Sequence, residues 1–519
     1  MAADRPALTT RKAAWLAVVP LVFLAAFYVW PLGRMLGSTL ESDAAGRILS
    51  DQRTWSTIWF TTWQAAVSTV LTVLAALPLT YVIARYRFKG RRLVQALTTV
   101  PFVLPSMVVA TAFVAIGLDS GLAAILMAHV FYNVAVIVRT VGGLWSRLDP
   151  SLSEAARTLG ASPARAFGQV TLPLLRPALT AATAIVFVFT FTSFGVVLVL
   201  GGLRWRTLEV EIYQRATTFL DFPAASALAV LQLVVVSLIV WWYSRRQAFM
   251  TASGLVAESE NLMGVTSSRQ RWLVGSALTI SIGLLSAPLM VLVAKSFAGG
   301  GAGWALLFSP GPSALRPIPA IGNTVVYAVM STLVAVAIGL PAAVIIARRR
   351  RLGSLLDLGL LLPLGTSAVT IGLGLLMTWS GTLTVWLIPI AHALVALPFV
   401  TRSAVPVLGS IRSELREAAA VLGASPGRTW REVDLPIAAR AFAVGAGFAA
   451  AISIGEFGAT AFLARPATAT VPYLIFRYLG RPGSASFTAA MAMAVLLMLL
   501  TAGLILAVDR LRTEQVGSF

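Results

Sequence analysis

The chain contains no cysteine and two histidines among its 519 residues. Without thiols there is no disulfide, no thiolate nucleophile and no zinc–thiolate site. His129 and His392 alone leave little for a histidine-based metal centre. Charge is scarce too: 12% of residues are charged, where soluble domains carry about 25%. The phosphate-cradling pattern G-x-x-x-x-G-K-[ST] is missing, so ATP binding by this chain is not expected. No catalytic triad or metal-ligand cluster stands out. The sequence therefore points to no catalytic residue, no metal and no cofactor of its own.

What the chain has instead is apolar length. Hydrophobic residues make up 58% of it, and several runs exceed the ~20 residues that cross a ~30 Å hydrocarbon core. Twelve spans are expected, near 13–34, 56–84, 93–118, 121–143, 177–201, 223–243, 272–295, 321–347, 355–378, 380–405, 441–463 and 486–508. The fold class is an all-α integral membrane protein. The run "RKAAWLAVVPLVFLAAFYVW" is too long for the apolar core of a cleaved signal and reads as a retained first span.

The formal net charge is +20. Nucleic-acid binding is one reading of such a value. However, the basic residues sit in short clusters between apolar runs, as in the cytoplasmic loops of a membrane protein. "ARYRFKGRR" follows the second span and "ARRRR" the eighth. With those loops inside, both termini are expected in the cytoplasm.

The chain repeats itself at an offset of 263 residues. "EAARTLGASPARAFGQVTLP" begins at Glu154 and "EAAAVLGASPGRTWREVDLP" at Glu417, with twelve of twenty positions identical. The register continues outside the motif: His129 maps to His392, Arg139 to Arg402, and Phe194-Gly195 to Phe457-Gly458. Two six-span halves in the same orientation are expected, since an even span count permits a parallel repeat. The first half covers 1–243, with a polar loop at 150–176, and the second 272–519, with its loop at 413–439. Residues 244–271, "TASGLVAESENLMGVTSSRQR" among them, read as a cytoplasmic linker.

Each motif copy predicts a short helix–turn–helix. Gly160 and Gly423 end the first helix, because glycine takes the left-handed position without penalty. Ser162-Pro163 and Ser425-Pro426 start a second, which Leu172-Pro173 and Leu435-Pro436 then break ahead of the next span. Small residues at Ala155, Ala156, Ala418 and Ala419 allow close approach by another surface, and Glu154 and Glu417 give that contact a direction. An amphipathic surface helix is the plainer reading, yet it does not account for two copies at fixed spacing.

The pattern E-A-A, three residues, G, nine residues, I, one residue, L-P resembles the cytoplasmic loop of bacterial ABC importer permeases. Glu154-Ala155-Ala156, Gly160, Val170 and Leu172-Pro173 fit it, as do Glu417-Ala418-Ala419, Gly423, Val433 and Leu435-Pro436, with Val in place of Ile. The resemblance implies the permease fold in both halves and a bacterial plasma-membrane location. It also implies docking of two ATP-binding subunits at these loops and of a solute-binding protein at the outer face. Fused permeases are typical of ferric-iron and thiamine importers; Phe191–Gln214 is similar to the matching stretch of thiamine permeases, and Gly455–Arg477 is similar to both groups. Polyamine and molybdate permeases remain alternatives, as does a secondary transporter of two six-span repeats, which would need several acids within its spans.

The spans after each motif are the expected path lining, each with a polar interruption: "FTFTSFG" with Ser193 and Phe194, "ISIGEFG" with Glu456 and Phe457. A carboxylate within a span is costly. Glu456 either meets a cationic substrate or shapes the gate, or it is a packing carboxylate paired with an arginine such as Arg465. His129 and His392 read as structural hydrogen-bonding groups. Glu209 and Glu211 fall in an outer loop, there to contact the binding protein or to be solvated.

Overall fold

The computed structural model describes residues 10–202, 204–248, 262–308, 316–381 and 385–513. Residues 249–261 of the expected linker lie outside that set. Among the described residues, ten helices are long and apolar enough to cross a membrane, or twelve if each of two sharply bent helix pairs is one span. The all-α membrane fold follows from the composition: in lipid every backbone N–H and C=O must be satisfied within the chain, and helices do this.

The expected spans 93–118 and 355–378 are not straight. Arg91–Val103 and Ser106–Ala115 meet at 98°, and Arg351–Pro363 and Ala368–Trp379 at 93°. The first bend sits at Leu104, which is extended because Pro105 excludes the helical region for the residue before it. At the second, Thr366 is extended and Ser367 starts a new helix by accepting the Thr370 N–H at 3.1 Å.

The chain forms two compact units. One comprises residues 51–211 and 234–295. Its core lies between Gln52–Arg85, Leu122–Trp145 and Leu172–Phe191, with Leu79, Ile137 and Val186 almost fully buried. The helix Ser268–Ser296, from beyond the linker, lays Val274 against Val82 and Tyr86 here. Beside it, Tyr86-Arg87 and Met263-Gly264 form a two-residue parallel ladder.

The other unit comprises residues 1–50, 212–233 and 296–519. Its core helices are Pro317–Arg348, Leu387–Ser410 and Leu435–Gly455. Glycines bring them close: a Cβ on Gly445 would lie 2.9 Å from Val400 Cα, and one on Gly339 2.9 Å from Val400 Cγ1. In a membrane such packing, rather than exclusion of water, holds helices together. The helix Thr10–Leu24 joins this unit, packing Ala17 against Ile345 and Leu356. It continues through a π turn, Ala25–Val29, where Trp379 Nε1 donates to the Ala26 carbonyl at 3.2 Å. Each unit thus takes the leading helix of the opposite sequence half.

Candidate functional site

The two motif loops fold alike. The first helix of each copy is Pro150–Thr158 or Ser413–Val421. Each ends at a left-handed glycine, Gly160 with φ +89° and Gly423 with φ +79°. Ala161 N donates to Ala156 O at 3.0 Å, and Ala424 N to Ala419 O at 2.9 Å. This closure satisfies carbonyls that a helix end otherwise leaves unpaired. Ser162 and Ser425 then accept the N–H groups of Arg165 and Arg428 at 3.3 and 3.4 Å and cap the second helices.

The second helices do not end at Leu172-Pro173 and Leu435-Pro436, as the sequence suggested. They run through π turns, Phe167–Thr171 and Trp430–Asp434, straight into the spans Leu172–Phe191 and Leu435–Gly455. Each proline sits in the first α turn after the π turn, so its missing N–H falls where the backbone bonding changes register. From Pro163 and Pro426 onward the second motif helix and the span are therefore one helical rod, and the Glu-Ala-Ala helix stands before it, across the glycine turn.

The motif surfaces are open. Glu154, Ala155, Glu417 and Ala418 are exposed and Ala156 and Ala419 half-buried. At the tips, Leu159 is 89% exposed, Val421 87% and Leu422 85%. Asp149 caps the first copy by accepting the Ser151 N–H at 2.9 Å, which holds its carboxyl below the ordinary range. The second copy has Arg412 there, without a side-chain cap. Its Glu414 carboxyl is held low first by its own backbone N–H and then by Arg412.

At the far end of each rod the helix breaks. Leu172–Phe191 stops before Ser193, and a short helix, Gly195–Leu200, follows, so no continuous span covers 177–201. Ser193 Oγ lies 2.9 Å from His129 Nε2, and Ser68 Oγ lies 3.1 Å from His129 Nδ1. In the other copy Leu435–Gly455 stops at Glu456, within the expected span 441–463. Glu456 is 7% exposed. Its Oε1 accepts the Ala459 N–H at 2.9 Å, and its Oε2 accepts the Thr460 N–H at 3.2 Å and hydroxyl at 2.9 Å. His392 Nε2 stands 3.1 Å from the same Oε2, and its Nδ1 lies 2.7 Å from Ser453 Oγ. A carboxylate only accepts, so the imidazole proton belongs on Nε2 and Ser453 donates to Nδ1.

Glu456 is therefore a cap and a tie across the break. Its partner is His392 and not Arg465, whose guanidinium donates to the carbonyls of Phe462 and Ala464 at 3.2 Å. Each histidine is held between hydroxyls, in line with its structural reading. Phe194 and Phe457 are buried, and Phe457 packs on Phe476 at 5.5 Å. Among the described residues no group of three or more His, Asp or Glu side chains is placed to hold a metal ion.

The sequence profile described as "binding-protein-dependent transport system inner membrane component" matches residues 76–248 and 335–513. The chain belongs to this family. Its two matched segments make it two permease repeats fused in one multi-pass membrane chain. It is 28% identical to the thiamine transport system permease protein of Brucella abortus, over 94% of each chain. It is 32% identical to the sulfate transport system permease protein of Salmonella typhimurium, over 34% of this chain and 76% of that one. The molybdenum transport system permease protein of Mycobacterium bovis is 32% identical over 43% of this chain and 86% of its own.

Two features of this permease escape sequence reasoning. Glu209 is not in an open loop: it is fully buried in the helix Leu208–Thr217, and Glu211 is half-buried. Leu208, Val210 and Ile212 are buried with it, so the first turn of the helix is enclosed around its circumference, and the Leu208 N–H donates to Thr61 Oγ1 at 3.0 Å. The second feature is an ion cluster at Asp434. Arg416 Nε donates to Asp434 Oδ1 at 2.7 Å, and Arg348 Nη2 pairs with Oδ2. The only signal in sequence was that Asp434 and Arg416 replace Thr171 and Ser153 of the other copy.

Proposed function

We propose that this permease is the transmembrane subunit of an ATP-driven importer, with both motif loops and both termini in the cytoplasm. Two ATP-binding subunits dock on Glu154-Ala155-Ala156-Gly160 and on Glu417-Ala418-Ala419-Gly423. A solute-binding protein delivers substrate at the outer face. The chain needs no cofactor: ATP is hydrolysed in the partners, and this subunit supplies the lever and the path.

One observation carries this reading: each exposed Glu-Ala-Ala helix turns at its glycine into a second helix that runs through a π turn into a single rod ending at a polar break. A push on an exposed tip moves the rod as a body, the kind of helix shift by which switching proteins act. Ser193 and Phe194 lie at one break, Glu456 and Phe457 at the other. In this reading these breaks border the path, and Glu456 shapes the gate by bracing it, without touching substrate.

Thiamine is the substrate we favour. The likeness to a thiamine permease runs along 94% of the fused chain, whereas the sulfate and molybdenum permeases match 34% and 43% of it. The test is binding to the solute-binding protein that co-purifies with the complex. We expect saturable binding of thiamine, with ferric iron, polyamine and molybdate not competing. Competition by any of these moves the substrate assignment to that solute.

A further inference from the structure

The two motif loops are alike in shape but anchored differently. Asp434 closes the π turn at the root of the rod Leu435–Gly455, with its side chain 2% exposed. Its carboxylate joins three elements. Arg416, one residue before Glu417 on the motif helix, donates to Oδ1 at 2.7 Å. Arg348, the last residue of the helix Pro317–Arg348, pairs with Oδ2 and lies 5.8 Å from the Trp430 ring. Arg416 also reaches the Ile411 carbonyl at 3.4 Å. The Arg416 and Arg348 side chains are 15% and 18% exposed, so this is a mostly desolvated cluster. Removing its single acid leaves two confined cations facing each other.

The other copy cannot build it. At the offset of 263 residues, Arg85 matches Arg348, but Ser153 stands for Arg416 and Thr171 for Asp434. Phe167, matching Trp430, packs instead on Trp145 at 5.8 Å, and Trp145 on Tyr81 at 5.5 Å. Charge-assisted hydrogen bonds fix distance and direction together. The ring contacts carry no charge, and such pairs contribute only about 0.5–1.5 kcal/mol beyond their area.

We propose that Asp434 is a positioning residue that makes the second motif loop the stiff lever of the transporter, with the first loop its compliant counterpart. Displacement at Glu417 passes through Arg416 and Asp434 to Arg348 and to the rod that ends at Glu456. The proposal rests on the importer reading above and adds an asymmetry to it.

The test uses the whole complex, with its ATP-binding subunits and binding protein, in proteoliposomes. Asp434→Asn is expected to keep subunit co-purification and ATP hydrolysis but to lower solute imported per ATP by at least ~fivefold, the scale of a coupling energy. Thr171→Val, at the matching position, is expected to change that ratio less than ~twofold. Arg416→Lys, which keeps the charge, should recover more of the ratio than Arg416→Gln. Hydrogen exchange supplies a readout independent of solute. Asp434→Asn should speed exchange across 413–434 and leave 150–171 unchanged, and it reports on the loop even in a variant that assembles poorly. Equal losses from Asp434→Asn and Thr171→Val, or unchanged exchange across 413–434, would overturn the proposal. Absence of ATP-driven import by the unmodified complex would overturn the parent reading instead, whatever the exchange data show.

Discussion

Glu456 shows how one carboxylate is kept in a span. Its two oxygens accept two backbone N–H groups and a hydroxyl, and His392 stands beside one of them. Glu456→Gln keeps the shape but brings an NH₂ against donors that need an acceptor. Leaving such a buried group unsatisfied costs about 1–3 kcal/mol. We expect a lower thermal midpoint for the purified subunit, with the KM for imported solute unchanged. A raised KM with an unshifted midpoint would place Glu456 in contact with solute. From sequence, Glu456 was legible as a costly group but its role was not. Its histidine partner is 64 positions away in the chain, and no local pattern links the two. Asp434 was hidden for the same reason, with partners 86 and 18 residues distant.

Among the elements, the breaks depend on close backbone approach. A Cβ at Gly372 would lie 2.7 Å from Ala459 Cα and 3.0 Å from its carbonyl oxygen, so Ala368–Trp379 seats directly on the Glu456 break. Gly372→Ala forces backbone to move, at a cost of about 1–3 kcal/mol for overpacking. Gly322→Ala, within the helix Pro317–Arg348, meets nothing within 4 Å and should leave the thermal midpoint unchanged or slightly raised. A second element-scale expectation concerns Asp149, whose carboxyl is lowered by the Ser151 N–H. A depressed acid stabilises above its unfolded pKa, and that contribution is lost as pH falls through the lower folded value. Protection of the Ser151 amide should therefore fall as pH drops below about 4, the ordinary range for Asp. In Asp149→Ala it should be weak at every pH. The helices themselves were legible, because apolar length and the glycine and serine signals are local. The bend at Pro105 follows from a local rule, whereas the continuity of rod and motif does not. A π turn absorbs the break expected at each Leu-Pro, and no residue pattern announces it.

For the whole molecule, the two-fold repeat was written in the sequence, and the family match falls on both copies. The exchange of leading helices between the compact units was not legible, since hydropathy gives the number of spans and says nothing of their neighbours. The central claim is that ATP-binding partners drive import through two motif loops. It is tested most directly by ATP-dependent uptake of labelled thiamine into proteoliposomes holding the complex and the binding protein. Uptake is expected to need both ATP and the binding protein and to be lost in the Glu154→Ala/Glu417→Ala double variant, with the chain still inserted. Uptake driven by an ion gradient without ATP, or unaffected by the double variant, would contradict it.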